Sequence, residues 1–134
     1  MNEGKILEFC SRWLSSWTGN DPEGLIDFYG EDAFYSDPAV RDGIQGRDRL
    51  LDYFTGLLDA NPEWEWEAVE AFPTMRGFTL KWKATIPVGD DVITEYGLDI
   101  VEIEDGKITR NEVYFDRTSL MLAVARQKRE QPQE

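Results

Sequence analysis

Two aspartates stand where a carboxyl group could take part in chemistry. Asp37 follows the alternating segment 33–36 and precedes Pro38, while Asp99 interrupts the apolar segment 96–101. A charge within such a strand costs on the order of several kcal/mol unless it is protonated, paired or next to a wet cavity. We therefore predict either a neutral Asp99 in a pocket or an Asp99 that faces outward or pairs with a cation. The candidate cations are Lys81, Lys83 and Arg110.

Asp37 allows two interpretations. The period of two along a strand puts its side chain on the same face as Tyr35, where it could abstract a proton from a bound compound. The Asp-Pro sequence is also typical of a turn in which the carboxylate accepts hydrogen bonds from backbone amides. The sequence leaves both interpretations open.

The composition restricts the chemistry further. The 134 residues contain no histidine, which excludes Ser-His-Asp and Cys-His hydrolysis and histidine-ligated zinc, iron and haem. Carboxylates, tyrosine or lysine must then supply any acid–base chemistry. No EF-hand spacing, P-loop or dinucleotide-binding glycine motif is present, so we predict neither a metal nor another cofactor. A solvated acidic face accounts for Glu102, Glu104, Asp105 and Glu112.

Charge and cysteine content bear on partners and location. The 14 Lys and Arg against 27 Asp and Glu give a net charge of −13, which repels phosphate backbones and anionic lipid. We therefore expect no nucleic-acid partner and no membrane partner. Cys10 is the single cysteine and cannot form an intramolecular disulfide, which favours a cytoplasmic location. Its place on an apolar helix face indicates a buried structural thiol.

Hydrophobic periodicity predicts helices first and strands afterwards. Helical spacing of apolar residues predicts helices over 3–17, 22–30 and about 50–60, and a last helical stretch around 120–124. Alternation predicts strands over 33–37, 63–72, 78–86, 92–103 and 107–116, with a loop at 43–46. The polar tail from about 126 to 134 is predicted to be mobile.

This order of elements predicts a single domain, residues 1–134, of the α+β class. The strands would form a curved antiparallel sheet whose inner face is covered by three N-terminal helices. Because long antiparallel strands accumulate twist, such a sheet leaves a conical hollow in which a ligand can bind. On the outer face, glutamates of 63–72 are expected to lie opposite lysines of 78–86.

Three short motifs carry a resemblance to a known superfamily. They are Gly30-Glu31-Asp32-Ala33-Phe34-Tyr35-Ser36-Asp37-Pro38, Asp105-Gly106-Lys107-Ile108 and Tyr114-Phe115-Asp116-Arg117. With the order of elements, they resemble the nuclear-transport-factor-2-like superfamily, and within it the SnoaL-like and ketosteroid-isomerase-like branches. The resemblance covers Ile6 to about Met121. It implies a cone-shaped α+β barrel, but the superfamily includes isomerases, cyclases, dehydratases, epoxide hydrolases and non-catalytic binders.

The resemblance assigns roles to individual positions. Asp37 matches the general base of ketosteroid isomerase, and Asp99 matches the protonated acid of its oxyanion hole. The partner tyrosine of that hole falls on Trp13, and the last-strand acid of epoxide hydrolases and SnoaL-type cyclases falls on Val113. Trp13 and Trp82 match positions that line the cavity in relatives. Tyr35, Asn111, Val113 and Phe115 are also expected to face it, whereas ordinary core or dimer contacts are favoured for Trp17, Trp64 and Trp66.

Two functional hypotheses follow from the resemblance. The first is a cofactor-free isomerase or cyclase in which Asp37 removes a proton next to a carbonyl group and neutral Asp99 stabilises the enolate. The second is a non-catalytic module that binds a small molecule or pairs two chains, because Trp13 and Val113 replace catalytic residues of relatives. In both cases the expected ligand is small and hydrophobic or aromatic. A homodimer through the convex face of the sheet is expected, as in relatives.

Overall fold

The computed structural model describes residues 2–130. These residues form four helices and six strands in an α+β arrangement. The helices are α1 (Glu3–Thr18), α2 (Pro22–Ile26), α3 (Arg47–Ala60) and α4 (Thr118–Glu130). The strands are β1 (Tyr29–Asp37), β2 (Val40–Gln45), β3 (Glu65–Pro73), β4 (Gly77–Val88), β5 (Asp91–Glu104) and β6 (Lys107–Tyr114).

The strands form one curved sheet in the order β2-β1-β6-β5-β4-β3. All neighbours are antiparallel except β1 and β6, which run parallel. The predicted α+β fold with a cone-shaped sheet is confirmed, but the sheet is open at β2 and β3 and does not close into a barrel. The parallel pair was not predicted, because it joins strands about 80 residues apart and leaves no local pattern.

Helix α1 shows why the N-terminal segment folds as predicted. The Asn2 side chain accepts a hydrogen bond from the Lys5 backbone amide at 2.9 Å and so caps the first turn. The helix buries one apolar stripe in the core and packs against β3. The stripe consists of Ile6, Phe9, Cys10, Trp13, Leu14 and Trp17.

Alternation along the long strands separates the two faces of the sheet. On β4, Leu80, Trp82 and Ala84 are buried beneath the helices, while Lys81 and Lys83 lie on the convex face. Glu67 of β3 lies opposite Lys83, and their charged atoms are 3.6 Å apart. The predicted cross-strand pairing of glutamates and lysines is therefore confirmed.

The predicted loop at 43–46 is wrong, because residues 40–45 form β2 and pair with β1. The segment is polar and lacks apolar alternation, which hides the strand from a periodicity argument. Gly43 has a φ of 86°, and a Cβ there would lie 2.2 Å from a ring carbon of Phe34. The glycine thus allows both a left-handed backbone conformation and a close approach of the strand to this ring.

Two other element boundaries also differ from the predictions. Helix α2 ends at Ile26, and Tyr29 and Gly30 begin β1 instead of continuing the helix. The C-terminal helix continues through the first part of the predicted mobile tail as far as Glu130, while 131–134 lie outside the described residues. Among the described residues, no helix is long and apolar enough to cross a bilayer.

Candidate functional site

A cavity of about 570 Å³ lies between the concave face of the sheet and the helices. Helices α1 and α3 contribute Leu14, Trp17, Tyr53 and Leu57 to its wall, and α4 contributes Leu120, Met121 and Val124. The volume is within the range that holds drug-sized ligands. Asp37 and Asp99, which are 62 residues apart in sequence, both line this cavity.

Asp99 is buried in the wall and is held by neutral donors. It lies on β5, an interior strand, and only 5% of it is exposed. The Trp82 indole donates a hydrogen bond from Nε1 to Oδ1 at 2.8 Å, and the Asn111 amide donates from Nδ2 to Oδ2 at 3.4 Å. Each carboxyl oxygen can form a second hydrogen bond, so the group has capacity for a ligand.

Burial raises the pKa of Asp99 from 3.8 to about 7. The hydrogen bonds from Trp82 and Asn111 act in the opposite direction, and the nearby charge of Asp37 raises the pKa further. No lysine or arginine in the part of the chain that the structure describes forms an ion pair with Asp99. Among the predicted alternatives, the structure therefore favours a pocket-facing Asp99 without a cationic partner among the described residues.

The three candidate cations lie on the convex face of the sheet, opposite the cavity. Lys83 pairs with Glu67, and Arg110 pairs with Glu102 and Glu112. Lys81 lies over the ring of Tyr96 at 5.6 Å from its centroid. These contacts keep the positive charges on the convex surface, away from the cavity.

Asn111 orients Asp99 from behind the wall. It is fully buried, and its Oδ1 accepts a hydrogen bond from the Tyr29 hydroxyl at 2.8 Å. With Oδ1 occupied in this way, the amide presents its Nδ2 to Asp99. Burial raises the pKa of Tyr29 well above its usual value, so this phenol stays neutral. Tyr29, Asn111, Asp99 and Trp82 thus form one hydrogen-bonded chain.

Asp37 accepts four hydrogen bonds. The backbone amides of Ala39 and Val40 donate to Oδ1 at 2.8 and 3.1 Å. The hydroxyls of Tyr35 and Tyr53 donate to Oδ2 at 2.8 and 2.7 Å. The turn interpretation of Asp37 therefore describes Oδ1, while Oδ2 belongs to a polar cluster at the cavity. Burial, followed by the influence of Asp37, raises the pKa of Tyr35 well above its usual value.

These four donors bear on the predicted role of Asp37. Each carboxylate oxygen has two lone-pair positions, and all four positions of Asp37 are occupied. Removal of a proton from a ligand would require one tyrosine hydroxyl to release Oδ2. The role of Asp37 as a proton-abstracting base therefore stays a prediction. It depends on the release of Oδ2 by Tyr35 or Tyr53.

Aromatic side chains form much of the remaining wall. Trp82 and Phe115 meet edge to face with ring centroids 5.4 Å apart. Trp66 lies between Trp17 and Trp64 at centroid distances of 5.6 and 5.5 Å. Trp17, Trp64 and Trp66 line the cavity, although the sequence favoured ordinary core or dimer contacts for them. The period of two places Trp64 and Trp66 on the same face, which is the concave one.

The other predicted site residues divide into two groups. Tyr35, Trp82, Val113 and Phe115 line the cavity, as Asp37 and Asp99 do, whereas Asn111 lies behind the wall. Trp13 is corrected to a core position, because it is fully buried and has no part in the lining.

Four polar lining residues were not predicted as site residues from the sequence, namely Tyr53, Asn61, Glu63 and Arg117. Tyr53 lies three residues after buried Leu50 on α3, so helical spacing would have placed it near the core. Arg117 belongs to one of the motifs that carried the resemblance, but no periodic pattern assigns its direction. Cys10 is buried, and this burial raises the pKa of its thiol to about 12, with a further contribution from the charge of Asp99. The thiol is therefore structural rather than nucleophilic.

Fold and cavity together define a class of small α+β proteins in which a curved sheet and covering helices enclose one ligand-sized hollow. The described residues contain no cluster of three or more acidic, cysteine or histidine side chains able to hold a metal ion. A model of the SnoaL-like domain matches residues 10–111. The chain belongs to this SnoaL-like family, within the nuclear-transport-factor-2-like superfamily.

Solved structures share the fold at low sequence identity. One is a protein with a ketosteroid-isomerase-like fold from Catenulispora acidiphila, solved in complex with trimethylamine. It is 18% identical in sequence with a TM-score of 0.76, and the match covers 88% of this chain and 92% of that protein's chain. TerC, co-crystallised with polyporic acid, is 13% identical with a TM-score of 0.76, covering 90% and 98%. AclR, a putative hydroxylase from Streptomyces galilaeus, is 14% identical with a TM-score of 0.75, covering 93% and 98%. No curated protein sequence matches the chain.

Proposed function

We propose that the protein binds a small hydrophobic or aromatic carbonyl compound and catalyses cofactor-free proton transfer, of the isomerase or cyclase kind, with Asp99 as the central acid. The observation that carries the proposal is the Asp99 carboxyl itself. It is buried in an aromatic cavity, held by two neutral N–H donors, and has a pKa raised to about 7 by burial. A group with a pKa near the working pH is suited to give or accept a proton.

The proposed chemistry follows from the protonated form of Asp99. Its O–H donates a hydrogen bond to the carbonyl oxygen of the ligand. As a proton leaves the adjacent carbon, negative charge develops on that oxygen, and the hydrogen bond from the buried carboxyl strengthens. Asp37 is the proposed proton acceptor, provided that Tyr35 or Tyr53 releases Oδ2. TerC and the Catenulispora protein each hold a small molecule, which supports a small-molecule ligand here.

Hydrogen–deuterium exchange of a simple ketone tests the proposal without knowledge of the natural substrate. We expect the protein to accelerate hydrogen–deuterium exchange at the carbon next to the carbonyl group of 1-tetralone in D₂O. NMR measures the rate of this exchange. Asp99→Asn should reduce the acceleration at least about 100-fold, since general acid–base catalysis contributes roughly 10²–10⁴-fold. Asp59→Asn, a change at an exposed position on α3, should leave the rate unchanged. Equal rates for the protein and Asp99→Asn would rule out this role.

A second candidate function is small-molecule binding without catalysis. Two observations favour it: all lone-pair positions of Asp37 are occupied, and Val113 lines the cavity where relatives carry an acid. Binding of 1-tetralone without any acceleration of exchange is the result expected for this candidate. The same assay therefore distinguishes the two.

The assembly proposed for the protein is a homodimer through the convex face of the sheet. Tyr96, Leu98 and Tyr114 are 53%, 45% and 54% exposed there, and Leu98 lies directly opposite Tyr114 across the β5–β6 pair. Large hydrophobic side chains gathered on one face favour burial against a second copy. The single buried thiol, Cys10, supports a cytoplasmic location for this dimer.

A further inference from the structure

The cavity contains a cationic side chain that the proposed proton transfer does not use. Arg117 lies between the end of β6 and the start of α4, is partly exposed, and lines the cavity. Within the described part of the chain, it is the one lysine or arginine among the lining residues. Asp99 is buried in the same cavity, whereas Arg117 is partly exposed.

The guanidinium of Arg117 has no carboxylate partner among residues 2–130. Arg47, Lys83 and Arg110 all form ion pairs with acidic side chains. Arg117 takes part in no ion pair or side-chain hydrogen bond of the described residues, and what distinguishes it from the other unpaired lysines and arginines is its place in the cavity wall. Its five N–H donors are therefore available to a ligand.

The electrostatic effect of Arg117 reaches the polar cluster of the cavity. Burial and the contact with Asp37 raise the pKa of the Tyr53 phenol, and the charge of Arg117 acts against this increase. Arg117 thus lies close to the side of the cavity where Tyr53 donates to Asp37. A ligand that reaches this side meets the permanent positive charge of Arg117 close to the Tyr53 hydroxyl and to the Asp37 carboxyl that this hydroxyl contacts.

We infer that Arg117 binds an anionic oxygen of the ligand, and that the ligand class is an aromatic or hydrophobic carbonyl compound with a carboxylate or ionised hydroxyl at one end. The planar guanidinium matches the geometry of such oxygens and stays charged at all working pH values. The aromatic wall holds the apolar body, and the carbonyl group points inward to Asp99. The inference rests on the proposed function because it concerns the same cavity.

A pair of probes that differ in charge tests the inference. 2-Naphthoate and 2-naphthamide share the same rings, and quenching of tryptophan fluorescence reports their binding. We expect the protein to bind the naphthoate more tightly than the naphthamide. Arg117→Gln should weaken naphthoate binding about tenfold or more and change naphthamide binding by less than about twofold. Arg117→Lys, which keeps the charge but not the planar donor pair, should give an intermediate loss.

Arg126→Gln is the matched control, because Arg126 is exposed on α4 and the change alters the net charge by the same amount. We expect this variant to bind both probes as the unmodified protein does. Equal weakening by Arg117→Gln and Arg126→Gln would show a long-range charge effect and overturn the inference. So would equal binding of the two probes, or binding of neither, by the unmodified protein.

Failure of this inference is distinguishable from failure of the proposed function. Preferential naphthoate binding that depends on Arg117, combined with no acceleration of ketone exchange, would leave the inference standing and refute catalysis alone. Acceleration that depends on Asp99, combined with equal binding of the two probes, would support catalysis and refute the inference about Arg117. Thermal unfolding of the Arg117 variants checks that each remains folded.

Discussion

The chemistry proposed here depends on one carboxyl group and on the environment that surrounds it. Asp99 and Asp37 are both buried aspartates on the same cavity, but their partners differ. Asp99 has two neutral donors, one of them as distant as 3.4 Å, whereas Asp37 has four donors at 2.7 to 3.1 Å. Four donors stabilise a carboxylate and fill its lone pairs. Asp99 is consequently the better candidate for a neutral acid that donates its O–H to a ligand, while Asp37 can accept a proton only after a tyrosine releases Oδ2.

The raised pKa of Asp99 predicts an unusual dependence of stability on pH. At pH values between 3.8, which is the reference pKa of an aspartate, and about 7, Asp99 carries a proton in the folded state that it lacks in the unfolded state. The stability contributed by the neutral carboxyl is therefore full below about pH 4 and is lost as the pH rises to about 7. The difference corresponds to an upper limit of roughly 4 kcal/mol.

Urea unfolding of the protein and of Asp99→Asn at pH 5 and pH 8 measures this contribution. The other ionisable groups are common to both chains, so their effects largely cancel in the comparison. We expect the unmodified protein to lose at least about 1 kcal/mol relative to Asp99→Asn between the two pH values. A constant difference between the two chains would contradict a raised pKa for Asp99.

At the scale of elements, β2 and the turn before it complete the pocket side of β1. The two amides that hold Asp37 come from Ala39 and Val40, where the chain turns from β1 into β2. Gly43 allows β2 to continue past Phe34. The position of Asp37 therefore depends on a short polar strand that the sequence pattern does not reveal.

A pair of glycine substitutions tests this role of β2. Gly43→Ala places a Cβ 2.2 Å from the Phe34 ring and 3.2 Å from the Tyr35 carbonyl oxygen, at a φ of 86°. We expect a loss of about 1–3 kcal/mol in the free energy of unfolding. Gly56→Ala is the control, because an added Cβ on this exposed helical position meets nothing within 4 Å. It should stabilise the protein by about 0.5–1 kcal/mol. Urea unfolding measures both, and equal stabilities for the two variants would contradict the role given to Gly43.

At the scale of the whole molecule, the two faces of the sheet have different tasks. The concave face supplies the cavity, and the convex face carries both the ion pairs of Arg110 and the exposed side chains of Tyr96, Leu98 and Tyr114. A net charge of −13 opposes association of two copies at long range, so an apolar contact of short range must hold a dimer together.

A single charge on the convex face should separate the proposed dimer. We expect sedimentation at micromolar concentration to show a dimer for the protein and mainly monomer for Leu98→Glu, because the new carboxylate would be buried opposite Tyr114. Leu122→Glu, at a residue 64% exposed on α4, should remain dimeric. A monomer for the unmodified protein at this concentration contradicts the convex-face dimer.

Particular residues show how far sequence reasoning extends. The apolar segment 96–101 singled out Asp99 but left open whether it faces a pocket, faces outward or pairs with a cation, and the structure places it at the cavity. The motif around Asp37 contributed to the resemblance that the SnoaL-like match then confirmed. The first helix was predicted over 3–17, and α1 spans Glu3–Thr18 with Cys10 on its buried face. Trp13, however, was placed in the cavity wall by comparison with relatives, and the helix instead buries it in the core.

The sequence by itself determined which side of the long strands and of helix α1 is apolar, because this depends on residues two to four positions apart. Only the tertiary structure decided that β1 lies beside β6, that Asp37 meets Tyr53, and that Arg117 reaches the same cavity as Asp99. These contacts join segments from 16 to about 80 residues apart. No local pattern encodes such distances, since they follow from how the curved sheet and its covering helices pack as a whole.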